Sequence, residues 1–174
     1  MKLPYRLIKC LAFGFVFIAS SSFAKNNILP SGWRMPHSSE LNDDWRRKDP
    51  DKYSIIRADF NGDGLKDRAM LLVSIRRNEI GLFVFLSRKG GAFKTYKLDV
   101  VKGEKLLQAI GIAKVLPGQC KTACGKGYWE CGKGDISDVS IKYDAINYFK
   151  AESAALYFYW DERSRSFKRM WISD

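Results

Sequence analysis

The chain of 174 residues carries a formal net charge of +11 and is 46% hydrophobic. Its basic residues are scattered over separate segments, which excludes the clustered aromatic and basic pattern of a nucleic-acid groove and predicts a largely solvated positive surface. No segment is both apolar and long enough to span a bilayer, so we expect no integral membrane association.

The first 24 residues have the pattern of a secretory signal peptide. Its positive n-region is formed by Lys2, Arg6 and Lys9. The apolar run Leu11–Ala19 is too short to cross a membrane, and the small residues before Ala24 predict cleavage after that residue. Removing 24 of 174 residues leaves 150 and lowers the charge from +11 to +8, because three cations and no acids are lost. We therefore expect residues 25–174 to form one periplasmic or secreted domain.

Short apolar and alternating segments predict a mainly β fold. Ser38 or Ser39 is the expected N-cap of a short helix through Trp45 that Asp49 and Pro50 end. Strands are predicted at Tyr53–Ala58, Ala69–Ile75, Ile80–Leu86, Phe93–Val100, Ala109–Val115, Ile136–Tyr143, Ser153–Trp160 and Phe167–Ile172. Asp144–Lys150 is expected to form a helical turn. The predicted fold class is mainly β, with α+β as the alternative: a single antiparallel sheet or meander, one or two short helices and a disulfide-stapled loop.

One loop between two predicted strands places oxygen atoms at every second position. The candidate ligands are the side chains of Asp59, Asn61, Asp63 and Asp67 and the backbone carbonyl of Leu65. Calcium prefers six to eight such oxygens, and Gly62 and Gly64 allow the turn that brings the carboxylates together. Met70 occupies the twelfth position, where a helix–loop–helix site needs glutamate, so that class is excluded. The alternative is an Asn-Gly hairpin turn with solvated acids.

The loop resembles the DxNxDGxxD calcium loops of FG-GAP and VCBS-type repeats. The resemblance covers this loop and its flanking strands, and it implies Ca²⁺ at Asp59, Asn61, Asp63 and Asp67. The chain has one copy of the loop where a propeller has several, so the propeller fold is not implied. We expect calcium to fix the strand–loop–strand geometry.

Three cysteines remain after the predicted cleavage, Cys120, Cys124 and Cys131. This odd number predicts one disulfide and one unpaired thiol in an oxidising compartment. Cys124 and Cys131 enclose a flexible loop and are the expected pair, with Cys120 and Cys131 as the competing pair. Zinc is disfavoured because three cysteines without a nearby histidine make a poor tetrahedral site.

The loop between the expected cysteine pair has the composition of a protein-binding hot spot. Its candidate contact residues are Lys126, Tyr128, Trp129 and Glu130. Rigid aromatic side chains supply contact area at a small cost in conformational entropy. The alternative is that both aromatic rings fold inward and cover the sheet.

These features predict an exported, calcium-stabilised binding module whose partner is a protein. An inhibitor or immunity-type role is an analogy based on size and make-up. The alternative from another class is a cell-envelope hydrolase or polysaccharide-modifying enzyme with Glu130 or Glu152 as the acid, although no spacing pairs these carboxylates. The only histidine, His37, lies in the irregular leader, which disfavours a catalytic triad. A third hypothesis is an adhesion accessory that binds acidic polymer.

Overall fold

The computed structural model describes residues 29–173, so the predicted signal peptide lies outside the described residues. Within this range the chain is mainly β and its strands pair antiparallel, which confirms the predicted mainly β class. The expected single sheet is wrong, because the strands divide into a five-stranded sheet, a four-stranded sheet and a two-stranded ribbon. The strands are β1 Trp33–Arg34, β2 Ile55–Ala58, β3 Asp67–Ser74, β4 Glu79–Ser87, β5 Phe93–Lys102, β6 Ile110–Val115, β7 Gly118–Lys121, β8 Asp138–Ile141, β9 Ala145–Lys150, β10 Ala155–Asp161 and β11 Ser166–Ser173. None of the described helices is long and apolar enough to cross a membrane.

The first sheet has the order β1-β3-β4-β5, and β2 pairs with the same edge of β3 as β1 does. Its central strand β4 is buried on both faces over residues 80–86, as its almost continuous apolar sequence predicts. One face of β4 presents Leu82 and Val84 to the main core. The opposite face presents Phe83 and Phe85 to the N-terminal segment, where Trp33 packs edge-on against Phe83.

The second sheet has the order β11-β10-β9-β6 and packs face to face on the first. Ile112, Ile146 and Phe158 from this sheet share one core cluster with the inner face of β3 and β4. Its outer face is covered by a separate two-stranded ribbon, β7-β8, through Val139 and Ile141. The result is a β-sandwich with a ribbon on one side.

Strand β9 corrects one prediction, because Asp144–Lys150 forms no helical turn. Residues 145–150 form an inner strand that pairs with β6 on one side and β10 on the other. Ile146 and Tyr148 point into the core while Asn147 and Phe149 alternate with them at half-buried positions. Isoleucine, tyrosine and phenylalanine favour strands, and pairing on both edges fixes this segment as one.

The predicted short helix is divided into two 3-10 helices, Ser38–Leu41 and Asp44–Arg46. The N-cap of the first is His37, not Ser38 or Ser39, and its backbone N–H donates to the Glu40 carboxylate at 2.7 Å. The backbone is extended at Asp43, whose side chain accepts a hydrogen bond from the N–H of Asp44 at 2.6 Å. Because the backbone is extended at Asp43, one helix cannot continue through this residue, and Asp43 instead begins the second helix as its N-cap.

Two arginines in the segment before β2 stabilise the fold through hydrogen bonds and an ion pair. Arg34 forms a two-pronged ion pair with Glu40, at 2.6 and 2.7 Å, and this partner lowers the pKa of Glu40 to about 2. Arg46 is almost fully buried and donates to the backbone carbonyls of Leu107 and Ile110. Burial lowers the pKa of Arg46 to about 10. Arg46 is therefore an exception to the predicted solvated surface and attaches the leader to the start of β6.

Candidate functional site

The predicted calcium loop joins β2 to β3 and is curved around the carboxylate of Asp59. This carboxylate accepts hydrogen bonds from the N–H groups of Gly62 at 2.7 Å and Gly64 at 2.8 Å. Both glycines have positive φ, +75° and +80°. At Gly62 a Cβ atom would lie 2.1 Å from the ring of Tyr143, so this position needs glycine for space as well as for conformation.

Asp63 lies at the exposed tip of the loop. Its carboxylate accepts hydrogen bonds from the N–H of Leu65 at 2.9 Å and from the side-chain amide of Asn61 at 3.0 Å. A carboxylate has about four acceptor positions. The loop oxygens therefore keep acceptor capacity beyond these bonds, and their chemistry fits Ca²⁺.

Asp67 is fully buried at the start of β3. Its Oδ1 accepts a hydrogen bond from the N–H of Ser87 at 2.7 Å, and its Oδ2 accepts one from the N–H of Phe60 at 3.0 Å. Burial raises the pKa of Asp67 to about 6, and the charges of Asp63 and Asp59 act in the same direction. The three acids of the loop thus influence one another electrostatically.

The acids of the loop are held by backbone amides in this conformation. Within residues 29–173, no three His, Cys, Asp or Glu side chains converge closely enough to form a metal-binding group. Asn61 and the carbonyl of Leu65 are the other predicted ligands. Calcium binding at this loop remains a prediction that the chemistry of the residues supports.

The predicted disulfide between Cys124 and Cys131 is present, which leaves Cys120 as a half-buried free thiol. Burial raises the pKa of the Cys120 thiol. The alternative pairing of Cys120 with Cys131 is therefore wrong. The disulfide closes the loop that sequence analysis predicts to bind a partner.

All four predicted contact residues in this loop are exposed. Tyr128 and Trp129 are 56% and 41% exposed, so they do not fold inward over the sheet. Glu130 is exposed as well. The Lys126 ammonium group donates to the backbone carbonyl of Ile172 at 2.9 Å and so holds the loop against β11.

Trp129 lines a cavity of about 490 Å³ together with two exposed apolar residues that sequence reasoning missed. These are Ile136, 59% exposed, and Trp171, 43% exposed. We name Trp129, Ile136 and Trp171 the apolar patch. A signal for Trp171 exists in the sequence, since it alternates with the buried Met170 and Ile172 of β11. Ile136 carries no comparable signal, because it lies in an irregular segment before β8.

The two carboxylates of the enzyme hypothesis belong to separate turns. Glu130 lies in the disulfide loop and Glu152 in the turn between β9 and β10, where its φ is +56°. Both are exposed. Neither lines the cavity beside the apolar patch. Glu130 and Glu152 thus give no support, among the described residues, to the hydrolase hypothesis, which needs two carboxylates across one cleft.

Comparison with protein-family models, curated proteins and solved structures found no match to this chain. The resemblance to FG-GAP and VCBS-type loops therefore rests on residues 59–67 and their flanking strands alone.

Proposed function

We propose that the protein is an exported, calcium-stabilised binding module that recognises a protein partner through the apolar patch. The observation that carries this proposal is that three large apolar side chains, from three separate segments, are exposed around one cavity. Exposed apolar groups that cluster in this way are typical of interaction sites. Tryptophan is also the residue most enriched among the side chains that dominate binding energy.

The segments that present the apolar patch are held in place before any partner binds. The Cys124–Cys131 disulfide closes the loop of Trp129. The buried Thr122 hydroxyl donates to the backbone carbonyl of Ile136 at 2.8 Å and accepts from the N–H of Gly125 at 3.2 Å. A surface that is already ordered loses less conformational entropy on binding.

Calcium has a supporting role in this proposal. The predicted calcium loop at residues 59–67 joins β2 to β3. None of its residues lines the cavity beside the apolar patch. Calcium at a concentration a hundredfold above its dissociation constant would stabilise the fold by about 2.7 kcal/mol. An inhibitor or immunity-type role would suit such a module, and the identity of the captured partner tests it.

The experiment is affinity capture from a cell-envelope extract with wild type, Trp129→Ala, Trp171→Ala and Ile75→Ala. Ile75 is the matched control, because it is 61% exposed but does not line the cavity. We expect one protein to be retained in stoichiometric amount by wild type and Ile75→Ala and lost from both tryptophan variants. Equal retention by all four proteins, or no retained protein, would refute the proposal.

A further inference from the structure

A second cavity, of about 580 Å³, lies beside the predicted calcium loop. Its walls come from both sheets, with Leu86 and Tyr96 from the first and Trp160 from the second. Asn61 and Asp63 form the wall on the side of the loop. We name it the basic cleft, and it shares no lining residue with the cavity at the apolar patch.

Three cations line the basic cleft. Arg88 follows β4, Lys94 lies on β5 and Arg165 lies in the turn between β10 and β11. Among the described residues, no carboxylate oxygen lies within 4.0 Å of the charged nitrogens of these three side chains. Asp63 is the one carboxylate in the lining, so the formal charge of the lining is +2.

The turn that carries Arg165 has a defined conformation. Arg165 has a φ of +48°, in the left-handed region that arginine seldom occupies. The neighbouring Ser164 donates its backbone N–H to the Asp161 carboxylate at 2.8 Å. The position of the Arg165 backbone at the mouth of the cleft is therefore fixed by the turn.

The aromatic wall of the cleft is also fixed. Trp160 is half-buried and makes edge-on contacts with Tyr96, at 5.9 Å between ring centroids, and with Phe167, at 5.3 Å. The Lys94 ammonium lies 4.6 Å from the centroid of the Tyr96 ring. Cations and aromatic rings thus occur side by side in one cavity of ligand size.

We propose that the basic cleft binds an anionic saccharide. The C–H groups of a sugar ring are attracted to the electron-rich face of an aromatic ring, and Trp160 and Tyr96 place aromatic rings in the lining of the cleft. A carboxylate on the sugar would form charge-assisted hydrogen bonds with Arg88, Lys94 and Arg165. A cleft of about 580 Å³ suits a short saccharide better than a nucleic-acid strand, which needs a groove that follows its backbone.

The test is isothermal titration calorimetry of the purified protein with hexagalacturonate as the acidic probe. Neutral maltohexaose and the oligonucleotide dT6 are the comparison probes. The titrations are run in EDTA and repeated with calcium, because Asn61 and Asp63 of the predicted calcium loop form one wall of the cleft. We expect hexagalacturonate to bind, maltohexaose to show no binding, and affinity for hexagalacturonate to fall as salt is added.

Arg88→Gln and Arg165→Asn should each weaken hexagalacturonate binding by about tenfold. Asparagine tolerates the left-handed backbone of position 165. Arg163→Asn is the matched control, because Arg163 is exposed in the same turn but does not line the cleft, and we expect it to leave affinity unchanged. Circular dichroism of each variant confirms folding.

Three results would overturn the proposal. They are absence of hexagalacturonate binding, equal or tighter binding of maltohexaose or dT6, and a loss of affinity in Arg163→Asn as large as in Arg165→Asn. None of them affects the proposal for the apolar patch, which is tested on a different surface with different variants.

Discussion

Replacing Asp67 tests whether its carboxylate stabilises the metal-free fold, binds a cation, or does both. Asp67→Ala removes the acceptors of the Ser87 and Phe60 amides, which bond to it at 2.7 and 3.0 Å. A buried donor left without an acceptor costs about 1–3 kcal/mol. Phe60 is fully buried and Ser87 is half-buried, so we expect Asp67→Ala to lower the free energy of unfolding by about 2–4 kcal/mol in EDTA. Asp67→Asn keeps one acceptor oxygen and should cost less.

The assay is urea and thermal unfolding of wild type and both Asp67 variants, with excess EDTA and with calcium. We expect calcium to raise the midpoint of wild type and to leave both variants unchanged. Asp49→Asn is the control, an exposed aspartate outside the loop that should retain the calcium response. If Asp67→Ala unfolds in EDTA within about 0.5 kcal/mol of wild type, the hydrogen-bond reasoning is refuted. If calcium does not stabilise wild type, the calcium proposal is refuted.

Three further predictions concern stability, and urea unfolding measures each. Glu40→Gln should lower the free energy of unfolding by about 1 kcal/mol at neutral pH, a value reduced because the ion pair is partly exposed. The folded pKa of Glu40 lies below its ordinary value, so this stabilisation exists above about pH 4.5 and should disappear as pH falls to about 2. Gly62→Ala should lower the free energy of unfolding by more than about 2 kcal/mol, because the new Cβ would overlap the Tyr143 ring. Gly90 is the control: it has a similar positive φ but open space around it, so Gly90→Ala should cost about 1 kcal/mol. Equal losses in the two variants would contradict the packing argument. Tyr96→Phe should raise the free energy of unfolding by about 1 kcal/mol, because the Tyr96 hydroxyl is buried without a hydrogen-bond partner among the described residues. A loss of stability would show instead that the hydroxyl makes a hydrogen bond.

Local signals in the sequence predict much of the sandwich. Short segments that are continuously apolar or alternate apolar with polar residues, separated by polar turns, identify β3, β4 and β5 and the hairpin of β10 and β11, because each strand pairs with its neighbour in the chain. Strand β9 is missed because Asn147 interrupts its short apolar pattern, and the segment is fixed as a strand by pairing with β6, far before it in the chain, and with β10. Strand β7 is missed because Gly118–Lys121 has no alternating pattern and becomes a strand through pairing with β8.

The candidate sites also differ in whether their residues are close in the sequence or meet only in the folded chain. Tyr128, Trp129 and the disulfide belong to one contiguous loop, so the sequence contains the information to group them. Ile136 and Trp171 reach the same cavity only through the packing of the ribbon on the second sheet. The cations of the basic cleft also come from separate segments, and a reading along the chain describes them as scattered. Side chains that meet only in the folded state leave no periodic or spacing signal.

The connection between β6 and β9 begins and ends at residues that face each other, because Val115 pairs with Ala145. Residues 116–144, which contain the ribbon and the disulfide loop, therefore depart from the sandwich and return to it at a single point. Insertions or deletions within this excursion need not shift the register of the four-stranded sheet. Val139 and Ile141 pack on the sheet beneath by covering Met170 and Ile172. The Ala123 N–H and the Lys126 ammonium add hydrogen bonds to backbone carbonyls of β11. Recognition could thus diversify during evolution, or be redesigned, by exchange of parts of the excursion while Val139, Ile141 and the hydrogen bonds to β11 are kept.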